Sequence, residues 1–185
     1  MARRGGPLAL VRMRAPMSRP PFPPPRVPES RRTRWRRRYV NLFPALRFAG
    51  ARVTHYAGDS SEIRAELRLG IWNRNVVGTI FGGALYTVAD PFFMLLLIDR
   101  LGPDFIVWDR EATIRFLKPG RETLHARFVI DDGEVAEIRR LLERQRSVDR
   151  VYRCELVDAA GEVHAEVDKV VYVRRREPDR DGAES

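Results

Sequence analysis

Between Arg74 and Asp99 the chain carries a single charged side chain, Asp90, and eight residues before it stands the glycine pair Gly82-Gly83. A helix starting after Phe81 leaves the Gly82 and Gly83 amides without intrahelical acceptors, at the positive end of its dipole. Because glycine has no side chain, a substrate oxygen can come close to those N–H groups. The arrangement suits a developing oxyanion, where one preorganised donor contributes about 3 kcal/mol to a transition state. A carboxylate buried in an apolar helix is in turn a better base toward water than an exposed one, and can serve as general base or as nucleophile.

Eight residues of helix span about 12 Å, so one carbonyl carbon cannot meet both groups on the same helix. A second, antiparallel copy would bring its own Asp90 to the glycines, which predicts a site shared across a twofold dimer. Pro91 cannot donate to the carbonyl of Thr87, and a kink is expected beside the carboxylate. Two structural alternatives stand beside this chemistry. Asp90 could be a buried carboxylate satisfied by the hydroxyls of Tyr86 or Thr87, and the glycines could merely let the helix lie close on a sheet.

The elements that must hold these groups follow from periodicity. Trp35 to Gly50 contains Tyr39, Val40, Leu42, Phe43, Leu46 and Phe48, interrupted by Pro44, and reads as a short amphipathic helix or helical turn. Ala51 to Tyr56 is a strand between Gly50 and Gly58, and residues 63–69 alternate Ile63, Ala65, Leu67 and Leu69 with charged neighbours, the period of a half-buried strand. The apolar run then forms the long helix, stopped by Gly102-Pro103. Strands are expected over 104–117, 122–130, 148–157 and 162–173, the last two joined by Asp158-Ala159-Ala160-Gly161 as a hairpin. Residues 134–145 have leucine and isoleucine at helical spacing, with a bent strand as the alternative. Two strands, one buried helix and about four strands predict an α+β domain, a curled antiparallel sheet of five to six strands around one long central helix.

Charge is unevenly placed. Residues 1–38 hold twelve arginines against Glu29, a net +11, so the remaining 147 residues carry 9 − 11 = −2. Eight of the thirteen prolines lie in the same stretch, which is expected to be a disordered arm. Its arginine-rich, acid-poor start permits a transit peptide, a phosphate-binding or anionic-surface arm, a later start at Met13 or Met17, or a solvated tail. The division expected is an arm over 1–38, a domain over 39–174 and a charged tail over 175–185. Cys154 is the only cysteine, consistent with a reducing, cytoplasmic setting, and His55, His125 and His164 lack metal-ligand spacing, so neither metal nor other cofactor is expected. The 23 residues from Val76 to Ile98 are long enough to raise a membrane span. Asp90, Pro91 and the glycines inside them argue for a buried helix instead, and no interleaving of aromatics with base-reading residues argues for specific nucleic-acid binding.

The run N-V-V-G-T-I-F-G-G followed by A-D resembles the N-x-x-G-x-x-H-G-G and A-D motif of hot-dog fold acyl-CoA thioesterases of the phenylacetate-pathway type. With V-W-D and I-R-F-L-K-P-G after it, the stretch from Tyr39 to Val173 is similar to an uncharacterised hot-dog domain family labelled tetrameric acyl-CoA thioesterase. The resemblance implies a homodimer or dimer of dimers acting on an acyl thioester. It gives Asp90 the place of the catalytic carboxylate, Gly82, helped by Gly83, that of the carbonyl donor, and Asn75 that of a residue positioning water or substrate. Phe81 stands where those enzymes have histidine, and a phenyl ring can neither hydrogen-bond a thioester nor hold a proton. Phe81, Thr87 and Met94 are expected near the acyl group, Lys118 and Arg121 near coenzyme A phosphates. The alternative is a hot-dog module that binds a thioester or fatty ligand, or assembles, without turnover.

Overall fold

The structure, a computed structural model, describes residues 21–176. Ser30 opens the first helix, α1 (Arg31–Val40), with a reciprocal capping box to Thr33, and Pro44 starts the short α2 (Pro44–Phe48). Strands β1 (Ala51–Tyr56) and β2 (Glu62–Leu67) come next, followed by α3 (Gly82–Ala89) and α4 (Phe92–Leu101). Then follow β3 (Phe105–Phe116), β4 (Leu124–Val129), α5 (Asp132–Leu141), β5 (Ser147–Val157) and β6 (Val163–Arg175).

The six strands form one antiparallel sheet in the order β1-β2-β4-β5-β6-β3. Across its concave face lies the helical stretch from Gly82 to Leu101, interrupted at Asp90-Pro91, where proline removes a helical donor. This curled sheet around a central helix is the hot-dog fold. Leu85, Val88, Ala89, Phe92, Phe93, Leu96 and Leu97 are buried against Val53, Leu67, Ala126, Phe128, Leu156 and Val167 from the strands. Phe128 meets both Phe92 and Phe93, with ring centroids 4.9 and 5.2 Å away. Each such buried valine, leucine or phenylalanine stabilises the fold by about 1.5–3 kcal/mol.

The helix is not covered on all sides. Gly83 is exposed and Tyr86, Thr87 and Asp90 are only part-buried, so one face of α3 lies open where the sheet does not reach.

Two boundaries differ from the expected ones. The arm was to extend to residue 38, yet residues 31–40 are helical and joined to the domain. Thr33, Arg36, Arg37 and Val40 recur at helical spacing on the inward side. Glu29 accepts from Arg37 Nε at 2.7 Å and from the Tyr56 amide at 3.1 Å, while Asn41 exchanges two hydrogen bonds with the Val53 backbone. Residues 1–20, the first part of the expected arm, and 177–185, most of the expected tail, lie outside the described residues. The helix expected over 134–145 runs from Asp132 to Leu141, capped by Asp131. Among the described residues no helix is long and apolar enough to cross a membrane.

Candidate active site

The turn before α3 is built by two asparagines. Asn73, buried, accepts from the Gly70 amide at 2.7 Å and donates to the carbonyls of Ala49 and Arg68 at 2.6 and 2.8 Å. Asn75 accepts from the amides of Val77 and Thr79 and donates to Thr79 Oγ1 at 2.8 Å. Phe81 caps α3 without a side-chain hydrogen bond, and its own amide is taken by the carbonyl of Asn73. The Gly82 and Gly83 amides occupy the first positions of the helix, where no intrahelical acceptor exists.

A cleft of about 390 Å³ opens at this point, lined by Asn75, Thr79, Ile80, Gly82, Leu85, Phe116, Leu117, Lys118, Pro119 and Gly120. It has apolar walls, one helix terminus and one cation. A methyl group on Gly82 would come within 3.0 Å of Phe116 Cζ, so the aromatic ring of β3 covers the glycine closely. The Ile80 amide donates to the carbonyl of Gly120 at 2.8 Å and ties the two sides of the cleft together.

Of the residues singled out in the sequence, the cleft gathers Asn75, Gly82 and Lys118 but not Gly83, Phe81, Thr87, Asp90, Met94 or Arg121. Phe81 is exposed and its ring lies over Gly83, where an added methyl would collide with it. Thr87 donates its hydroxyl to the carbonyl of Gly83 at 2.8 Å, one turn back. Met94 is half-buried against the core. Arg121 is exposed, while Lys118 is joined to Glu162 rather than free.

Asp90 departs most from expectation. It is neither buried nor alone: its side chain is 46 % exposed, and Oδ1 receives the Tyr86 hydroxyl at 2.7 Å and Lys169 Nζ at 2.8 Å. Lys169 is fully buried and bridges to Asp109 Oδ2, also at 2.8 Å. Burial alone would lower the Lys169 ammonium, but the hydrogen bonds to Asp109 and Asp90 outweigh it and hold the group above its usual value. Burial pushes the Asp109 carboxyl up against the opposing pull of Lys169, and burial together with the bond to Asp90 raises the Tyr86 hydroxyl. Asp90 Oδ2 has no partner among the described residues, on a side chain that is nearly half exposed.

The sequence reading missed Lys169 and Asp109. A signal was present: Ala165, Val167, Val171 and Val173 point inward from β6, and Lys169 has the same parity.

The three histidines are not all isolated. Asp158, Glu162 and His164 bring ligand atoms within 4.8 Å of one another at the β5–β6 turn, a grouping that could hold a cation. Each is already engaged, however. Asp158 accepts from the Ala160 and Glu162 amides and from His164 Nε2, His164 Nδ1 lies 3.2 Å from the carbonyl of Pro119, and Glu162 pairs with Lys118. The group closes the hairpin and fastens it to the lip of the cleft.

Comparison with known proteins agrees with the architecture. Residues 32–173 match the model of a family described as Domain of unknown function (DUF4442). A solved Pseudomonas aeruginosa protein of unknown function, described as a probable thioesterase, has a TM-score of 0.68 at 21 % identity, covering 81 % of this chain and 99 % of its own. A Chlorobaculum tepidum protein of unknown function follows at 0.63 and 15 % identity, covering 78 % and 94 %. A thioesterase from Haemophilus influenzae has a TM-score of 0.58 at 14 % identity, covering 76 % and 90 %. At these identities the likeness is one of fold. No curated protein matches the sequence.

Proposed function

The chain belongs to the DUF4442 family, and we propose that it hydrolyses an acyl thioester, of coenzyme A, as a homodimer. The observation that carries this reading is the Gly82 amide at the mouth of a cleft with apolar walls and Lys118 on its rim. In the proposed mode the thioester carbonyl accepts from Gly82, its oxygen taking up negative charge as the acyl carbon is attacked. Ile80, Leu85 and Phe116 receive the acyl group, and Lys118 with Arg121 meets the phosphates of the carrier. Thioesterase descriptions among proteins of the same fold favour the reading without supplying its residues.

Asp90 of the partner subunit acts as general base or nucleophile. The face of α3 that the sheet leaves open, with Gly83 exposed beneath the Phe81 ring and Thr87 and Asp90 part-buried, is where a second copy would lie antiparallel. Lys169 and Tyr86 hold Oδ1, which leaves Oδ2 to take a proton from water or to attack. Asn75 is less a ligand than the brace of its turn, since three hydrogen bonds already occupy its amide.

The second reading, a module that binds without turnover, draws on Phe81 in place of a proton-carrying residue and on the ion pair that engages Asp90. A panel of short, medium and aryl acyl-CoA thioesters separates the two. Turnover by the wild-type chain, lost in Asp90→Asn while binding persists, supports hydrolysis; binding with no turnover by the wild type leaves the module.

A further inference from the structure

Helix α1 turns Thr33, Arg36, Arg37 and Val40 inward, and among the described residues nothing covers the opposite side. Trp35 and Tyr39 lie on that outer side one turn apart, and Leu42 and Phe43 follow in the turn after the helix, each of the four between 59 and 72 % exposed. An aromatic stripe held in water on a helix that is capped, bonded through Asn41 and anchored through Glu29 is a permanent surface feature.

Arginines flank the stripe. At about 100° per residue, Arg31, Arg34 and Arg38 run along one edge and Arg32 along the other. Arg31, Arg32 and Arg38 have no ion pair among the described residues, whereas Arg34 lies 3.8 Å from Glu29 and inward Arg36 and Arg37 are paired with Asp99 and Glu29. Beyond the end of the helix a groove of about 780 Å³ continues the positive surface with Arg38, Arg47 and Arg52. The last two are likewise exposed and without an ion pair among the described residues.

We propose that the outer face of α1 and the turn after it dock on an anionic phospholipid bilayer, with Trp35, Tyr39, Leu42 and Phe43 at headgroup depth and the flanking arginines on lipid phosphates. The chemistry is that of an interfacial helix: amphipathic rings seek the boundary between water and acyl chains, and unpaired guanidinium groups seek fixed negative charge. A second copy fits this face poorly, because Arg31, Arg34 and Arg38 would meet their own counterparts. A nucleic acid would engage the arginines but give the contiguous aliphatic and aromatic stripe no apolar phase. The docking is independent of the hydrolytic reading, since no cleft residue or member of the Asp90 cluster takes part.

The test uses the full chain with vesicles of phosphatidylcholine, with and without phosphatidylglycerol. The wild type should sediment with the anionic vesicles, far less with the neutral ones, and be released by salt. Arg31→Glu with Arg38→Glu should lower the partition coefficient by at least about 25-fold, near fivefold per arginine. Independently, Trp35→Ser with Tyr39→Ser should abolish the blue shift of tryptophan fluorescence on vesicle addition. All four side chains are exposed, so circular dichroism should show the fold intact. Equal partition into neutral vesicles, partition unchanged by both pairs of substitutions, or no vesicle binding alongside salt-sensitive capture of a duplex oligonucleotide overturns the proposal. Self-association abolished by the same substitutions assigns the face to a second copy and overturns it too.

Discussion

Lys169 Nζ lies 2.8 Å from Asp90 Oδ1 and 2.8 Å from Asp109 Oδ2, with no part of the lysine side chain open to solvent. One ammonium thus joins β6 to the C-terminal end of α3 and to β3. Asp109 Oδ1 is buried and has no partner among the described residues, so the cluster is polar chemistry held at some expense inside the sheet. Removing the cation would leave the largely buried Asp109 carboxylate without its counter-charge, while Asp90, nearly half exposed, would keep Tyr86. Lys169→Met is expected to destabilise the fold by about 3–5 kcal/mol, measured by denaturant unfolding, with part of the loss recovered in Lys169→Met/Asp109→Leu. A loss under about 1 kcal/mol in the single variant would mean that the cluster carries little of the stability.

Asp90 tests function rather than folding. Asparagine keeps the geometry of the side chain and an acceptor for Tyr86 and Lys169, but has no basic oxygen. Asp90→Asn is expected to cut thioester turnover by roughly 10²–10⁴-fold with ligand binding nearly unchanged. Steady-state kinetics beside equilibrium binding of a non-hydrolysable thioether analogue reads both. Undiminished turnover would remove Asp90 from the mechanism.

How much of this could be read from the chain differs between its parts. The strands, the hairpin at Asp158-Gly161 and the break at Pro91 were legible, because alternation, turn residues and a missing donor are local causes. Asn75 and Gly82 line one cleft because they share a turn, whereas Lys118 reaches it only through the packing of the loop after β3. The partners of Asp90 were legible only in fragments. Tyr86 sits one turn away on the same helix, but Lys169 is 79 residues on, and its meeting with Asp90 depends on the packing of β6 beneath α3. The part of α1 before Trp35 was hidden by composition. An arginine-rich stretch reads as solvated until Glu29, Asn41 and the capping box are seen to bind it.

Acid stability should be set in part by Asp168. Hydrogen bonds from Arg153 and Arg115, at 2.6 and 2.7 Å, pull its carboxyl down to about 2. A carboxyl depressed in the folded state contributes stability that is complete above its unfolded value of about 3.9 and is lost as the pH falls through the folded one. Asp168→Asn should therefore flatten the decline in unfolding free energy between about pH 4 and pH 2. Denaturant titrations across that range provide the comparison, and parallel curves for the two proteins would contradict the assignment. Lys169 works at the other extreme: its raised folded value places its contribution below the unfolded pKa of about 10.4, with loss only at higher pH.

Two glycines separate a requirement of the backbone from one of the cleft. Gly50 has φ of 81°, and a methyl group there would stand 2.6 Å from the carbonyl oxygen of Arg68, which cannot move without disturbing the exit of β2. Left-handed backbone costs an alanine about 1–2 kcal/mol before any clash, so Gly50→Ala should lower stability by at least about 2 kcal/mol. Gly82 has helical backbone, and its obstacle is the outer end of the exposed Phe116 ring, which can swing away. Gly82→Ala should then leave the melting temperature nearly unchanged. The methyl group would nevertheless stand where the carbonyl oxygen must approach the amide, and a misplacement of about 1 Å can cost roughly a hundredfold in rate. Full turnover in Gly82→Ala would show that the carbonyl is held elsewhere, whereas a stable protein with lost turnover is the result that the cleft geometry requires.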